Sequence, residues 1–130
     1  MKELRLGLAG LGHGETLIQA NRPEHEDIPI KVTALCDTDP ERLRAAGDQH
    51  GIQNLTTSFS ELIARDDIDI VGIYTPGPLH AAQVLQALDA GKHVMMTKAM
   101  AYTIQEAESL VEAVDRTGLV LLITQTLRGR

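Results

Sequence analysis

Strand-type and helix-type patterns take turns along this chain, and most of the strands read as covered on both faces. Leu4, Leu6 and Leu8 alternate with other residues and run into Gly10, the pattern of a first strand. Val32 to Cys36 is an apolar run and reads as a second strand. Asp39-Pro40 then supplies an N-cap and a helix-starting proline, and the helix carrying Leu43 and Ala46 ends at Gly51. A short strand is expected near Leu55 to Thr57, and Ser58-Phe59-Ser60-Glu61 is a capping box opening a brief helix. Ile68 to Tyr74 is the next strand, stopped by Thr75-Pro76-Gly77-Pro78, and Ala81, Val84, Leu85 and Leu88 form a helical stripe that ends at Gly91. His93 to Met96 reads as a strand. Thr103 to Glu106 is a second capping box, followed by one stripe of Ile104, Ala107, Leu110, Val111 and Val114, with Gly118 as its stop. Leu119 to Ile123 are five apolar residues in a row, as a doubly covered strand requires. Such alternation predicts an α/β fold: a doubly wound parallel Rossmann sheet of about six strands with helices on both faces, α/β/α.

Size and charge narrow the function classes. A chain of 130 residues fits one domain, so residues 1–130 are expected to be a single unit. With 43% apolar and 23% charged residues, disorder and collagen are excluded. Phe59, Tyr74 and Tyr102 are the whole aromatic set, so the core is expected to be aliphatic, and base stacking has little to work with. The net charge of −6 repels phosphate backbones, so no nucleic-acid partner is expected. No run reaches the ~18 apolar residues of a membrane span, and Met1-Lys2-Glu3 leads into the first strand without an apolar signal region. Single Cys36 suits a reducing compartment, and a cytoplasmic location is expected.

Gly10-Leu11-Gly12-His13-Gly14 falls where the first strand turns into a helix. Glycine there lets backbone approach a pyrophosphate that a Cβ would hold off, and N–H groups then face the negative charge. The fingerprint's third glycine would fall at position 15, where this chain has Glu15, so the motif is the tighter and less specific G-x-G-x-G. A bare glycine-rich turn is the alternative.

Asp37 stands just past the second strand, 27 residues after Gly10. A carboxylate there can accept from ribose hydroxyls and repel a 2′-phosphate, which favours NAD over NADP. It can equally begin the Asp37-Thr38-Asp39 turn, while Arg42 or Arg44 is either a 2′-phosphate ligand or a solvated helix charge. Thr75-Pro76-Gly77-Pro78-Leu79-His80 and Lys98 follow the fourth and fifth strands, at the edge where open α/β sheets bind ligands. An ordinary loop, a structural histidine and a solvated lysine are the plain readings of the same residues. A lysine beside a nicotinamide ring tends towards a lowered pKa, which suits proton transfer alongside hydride transfer. The five histidines show no metal-ligand spacing, and no metal is expected.

In this order the pieces resemble the N-terminal NAD(P)-binding domain of the glucose–fructose oxidoreductase, inositol dehydrogenase and MocA family, nearly end to end. Leu6 to Gly12 is similar to its opening strand and phosphate loop, and Ala34-Leu35-Cys36-Asp37 to its second strand ending in Asp. Asp69-Ile70-Val71 with Thr75-Pro76 and His80 resembles D-x-V…T-P-N-x-x-H, and Ala90-Gly91-Lys92-His93-Val94 is its A-G-K-H-V. Lys98 falls on the lysine of its E-K-P motif, and Gln125 to Arg128 resembles the segment leading to a second domain.

The resemblance implies hydride transfer between a nicotinamide dinucleotide and a sugar, polyol or related alcohol–ketone pair. It implies that Gly10, Leu11, Gly12, His13 and Gly14 hold the pyrophosphate and that Asp37 and Thr38 hold the adenosine ribose. Tyr74, Thr75, Pro76 and His80 would line the nicotinamide side, with Thr97 and Lys98 close by and Lys98 the catalytic lysine. Thr97 replaces the family's Glu, Ala99 its Pro and Gly77 its Asn. The family's C-terminal substrate domain is absent from these 130 residues, so the chain is expected to hold a cofactor without being competent alone. Two other readings are a non-catalytic nucleotide-binding or regulatory module and an S-adenosylmethionine-dependent methyltransferase. A free last-strand edge would also suit a homo-oligomer.

Overall fold

The computed structural model describes residues 4–14, 18, 30–75, 80–97 and 104–124. In chain order the elements are β1 Leu4–Ala9, α1 Leu11–Gly14, β2 Ile30–Cys36, α2 Pro40–His50, β3 Asn54–Thr56, α3 Phe59–Ile63, β4 Ile70–Ile73, α4 His80–Asp89, β5 His93–Thr97, α5 Ile104–Thr117 and β6 Leu121–Thr124. The six strands form one sheet in the order β3-β2-β1-β4-β5-β6, and every pair in it is parallel. The chain leaves β1 on one side towards β2 and later returns on its other side at β4, so β1 stands at the point where the winding reverses.

Period-two alternation sends strand side chains into two aliphatic cores. Leu6, Leu8, Leu35 and Ile70 pack with Leu11, Leu43 and Ala46, the face covered by α1 and α2. Ala9, Cys36, Val71, Ile73, Val94 and Met96 pack with Leu62, Val84, Leu88 and Leu110, the face covered by α3, α4 and α5. Burying each such aliphatic side chain contributes roughly 1.5–3 kcal/mol, and this replaces the missing aromatics.

Local chemistry accounts for the element ends. Asp39 caps α2, its side chain accepting from the N–H groups of Glu41 and Arg42, and Gly51 closes the helix in the left-handed region. Ser58 Oγ accepts from Glu61 N–H at 3.2 Å as the capping box requires. The return half of the box differs: Ser58 N–H goes to Thr56 Oγ1, whose hydroxyl donates to the Glu61 carboxylate.

Several expected boundaries shift. β2 begins two residues earlier than its apolar run, and its register against β1 slips between Leu6 and Gly7, leaving Thr33 as an extra residue. β3 ends at Thr56, β4 spans Ile70–Ile73, and β6 begins at Leu121 rather than Leu119. Val111 does not join the buried face of α5: it is 63% exposed, while Leu110 and Ala113 are buried. Helical spacing of three and four from Leu110 selects Ala113 and Val114 and turns position 111 to water. Thr103 lies outside the described residues.

Candidate functional site

The carboxyl ends of the central strands are tied together by backbone hydrogen bonds. Gly10 N–H donates to the Cys36 carbonyl at 3.0 Å, Tyr74 N–H to Ala9 at 2.8 Å and Asp37 N–H to Thr56 at 3.3 Å. Gly10 has φ +94°, and a Cβ there would stand 2.5 Å from the Tyr74 carbonyl. The fold itself therefore demands glycine at this turn.

Gly12 is a different case. Its position is exposed, and a Cβ would meet only Arg42 Nη1, at 3.3 Å, the far end of a flexible side chain. Among the described residues nothing else stands where that Cβ would go.

A cavity of about 430 Å³ opens over these strand ends, the size of a small-molecule or cofactor site. Of the residues singled out in the sequence, Gly10, Gly12, Asp37, Thr38, Tyr74 and Thr75 line it together. Leu11 does not: its side chain is buried in the core, and its N–H donates to Asp37 Oδ2 at 2.9 Å. His13 and Gly14 belong to α1, His80 opens α4 and Thr97 closes β5, but their side chains lie outside the described residues. Pro76 and Lys98 lie outside them altogether.

Asp37 is the one buried charged residue in the described structure. Oδ1 accepts from Asp39 N–H at 2.8 Å, Oδ2 accepts from Leu11 N–H, and Arg42 Nη1 stands 3.5 Å from Oδ2. The carboxylate thus locks the glycine turn to the start of the β2–α2 turn, as the turn-forming reading of Asp37 expects. A carboxylate has about four acceptor sites, which leaves it capacity for a hydroxyl.

Arg42, weighed in the sequence as a 2′-phosphate ligand or a solvated helix charge, also lines the cavity, whereas sequence reasoning did not find Cys36, Thr57, Phe59 and Gln83 there. Thr75 Oγ1 and Gln83 Oε1 are hydrogen-bonded, which ties the β4–α4 loop to α4. Burial pushes the Cys36 thiol up to about 11, with the Asp37 and Glu61 carboxylates adding to the shift. The cavity wall therefore carries a neutral thiol at pH 7. Asp37, beside β3 at the end of β2, was the signal that could have led to Thr57 and Phe59.

Two other motifs sit at the opposite edge of the sheet. Asp69 accepts from Arg5 N–H at 2.8 Å and forms a two-pronged ion pair with its guanidinium. Lys92 Nζ donates to the carbonyls of Arg65 and Ile68, Gly91 has φ +85°, and His93 Nδ1 accepts from Val120 N–H. D-x-V and A-G-K-H-V therefore fasten strand starts here. No group of three or more His, Cys, Asp or Glu side chains that could hold a metal occurs among the described residues.

This strand order, with a glycine turn and a buried acid at the reversal point, defines a dinucleotide-binding Rossmann domain. Residues 4–125 match the oxidoreductase family with an NAD-binding Rossmann fold, the family of glucose–fructose oxidoreductase, inositol dehydrogenase and MocA. The chain belongs to that family, as an NAD-binding Rossmann domain.

It is 36% identical to D-apiose dehydrogenase of Paraburkholderia graminis over 98 residues, 75% of this chain and 26% of that protein. Its structure is similar to that of the WlbA dehydrogenase of Bordetella pertussis, solved with NADH and UDP-GlcNAcA. The TM-score is 0.82 with 30% identity, covering 95% of this chain and 35% of that one. A 3-ketoreductase from Actinomadura kijaniata, solved with NADP and TDP-benzene, gives a TM-score of 0.80 at 27% identity, covering 94% and 37%. The chain thus spans about a third of the length of the relatives it matches. The comparisons lend no support to the methyltransferase alternative.

Proposed function

We propose that this chain is the cofactor-holding domain of an oxidoreductase that moves a hydride between NAD and a sugar, polyol or related alcohol–ketone pair. The observation that carries this reading is the cavity at the sheet's reversal point, whose Gly12 wall leaves open the space a Cβ would fill. The cavity residues fit a dinucleotide, with Gly10 and Gly12 at the pyrophosphate, Asp37 and Thr38 at the adenosine ribose and Tyr74 and Thr75 on the nicotinamide side. His13 and Gly14 would join the first group and Pro76 and His80 the last, while Leu11 serves by giving its N–H to Asp37. Thr97 ends β5 and Lys98 is the next residue in the chain, and Lys98 is the proposed catalytic lysine, moving the alcohol proton. NAD supplies hydride acceptance when bound. The sugar class is supported by the named activities of the relatives.

The substrate would be oriented by a second domain of the kind that relatives about three times as long have room for. A cytoplasmic location is supported by the lone, buried Cys36. Among the described residues no helix is long and apolar enough to cross a membrane. The net charge of −6 argues against a nucleic-acid partner, and the edge strand β6 offers a surface for a homo-oligomer.

The test replaces the matching first domain of D-apiose dehydrogenase with residues 4–125 and follows NADH absorbance with D-apiose. Turnover lost in the same chimera carrying Lys98→Ala is the expected result. A chimera that binds NADH but turns nothing over supports the second reading, a non-catalytic nucleotide-binding module, which the altered Thr97-Lys98-Ala99 segment favours.

A further inference from the structure

The acid that ends β2 does not face the cavity as a bare charge. Asp37 already receives two backbone N–H groups, and Arg42 Nη1 lies 3.5 Å from its Oδ2. A carboxylate at this place excludes a 2′-phosphorylated dinucleotide by repulsion. Here donors on both oxygens and a guanidinium beside one of them offset that repulsion.

Arg42 is held at its base, and its half-exposed tip reaches Asp37. Its backbone N–H donates to Asp39 Oδ1 at 3.3 Å in the first turn of α2, whereas its side chain is 51% exposed and reaches over Gly12. A guanidinium carries five N–H donors in a planar fork, so it can keep one nitrogen near Asp37 and present two others to a phosphate. Arg44, on the same helix, is exposed and does not line the cavity.

We infer that Arg42 is the residue that sets cofactor choice, and that this site accepts the 2′-phosphorylated dinucleotide alongside NAD, the Arg42 guanidinium bridging Asp37 and the phosphate. The inference rests on the cavity being a dinucleotide site. It also changes the meaning of Asp37, which becomes a clamp on the glycine turn and a ribose acceptor without serving as a filter against NADP.

The experiment titrates NADH and NADPH into the full chain by fluorescence, for the wild type, Arg42→Ala and Arg44→Ala, at low and moderate salt. The expected wild type binds both within about tenfold. Arg42→Ala then weakens NADPH at least about fivefold more than NADH, and added salt weakens NADPH more than NADH in the wild type but not in the variant. Arg44→Ala leaves both affinities as they were.

A wild type that prefers NADH by more than about tenfold overturns the inference. So does an Arg42→Ala variant whose two affinities fall by similar factors, since Arg42 would then serve the shared part of the cofactor. Binding of neither dinucleotide by the wild type contradicts the dinucleotide site itself, and so is distinguishable from failure of the Arg42 assignment.

Discussion

Gly10 and Gly12 are two residues apart and glycine for opposite reasons. At Gly10 a methyl group would collide with the Tyr74 carbonyl, and φ is +94°. At Gly12 only the tip of Arg42 is near among the described residues. Gly10→Ala should therefore cost at least ~2 kcal/mol of stability, from left-handed strain plus the backbone clash. Gly12→Ala should leave the melting temperature unchanged or slightly raised, since alanine is the better helix former. Thermal denaturation followed by circular dichroism checks both, and equal losses in the two variants would contradict this division. Cys36 supplies a second prediction at this scale. The folded chain keeps the thiol proton to about pH 11, against 9.0 for an unperturbed thiol. Above the unfolded value the unfolded chain binds fewer protons than the folded one, so stability falls as pH rises through that window. The stability advantage of the wild type over Cys36→Ala should shrink between pH 9 and 11, as measured by urea unfolding across that range.

Between elements, the same sheet has a working edge and a fastening edge. Lys92 donates to two carbonyls of the α3–β4 connection, at the end far from the cavity. Lys92→Met should cost about 1–3 kcal/mol by leaving those acceptors without their partner, while NADH affinity stays within about twofold. A large affinity loss with unchanged stability would contradict the structural assignment. Most of the elements were legible in the sequence because burial on both faces, caps and stop glycines are local signals: Asp39, Gly51, Gly91 and Gly118 all end or start helices as expected. Boundaries drifted where a non-local event intervened, as at Thr33, where the register slip lengthens β2. Gly10, Gly12, Asp37 and Thr75 were legible as residues of the cavity because each lies within a few residues of a strand's carboxyl end. Arg42 was legible only as one of two candidates with Arg44, and Thr57, Phe59 and Gln83 were not legible, since their approach to the cavity depends on the strand order, which no periodicity encodes. D-x-V and A-G-K-H-V were read as marks of the family, and the hydrogen bonds of Asp69 and Lys92 reveal what they do mechanically.

At the scale of the whole molecule, the reversal of winding at β1 puts the ends of β2 and β4 on either side of the glycine turn. Gly10 makes that approach sterically possible, Asp37 locks it, and Gly12 keeps its surface open to a ligand. The family likeness and the geometry meet in this single place. The measurement that tests it most directly is a fluorescence titration of NADH into the wild-type chain and into folded Gly12→Ala. Saturable binding by the wild type, weakened at least about tenfold in Gly12→Ala at equal stability, is the predicted result. No saturable binding by the wild type, or undiminished binding in Gly12→Ala, would contradict the account of this cavity.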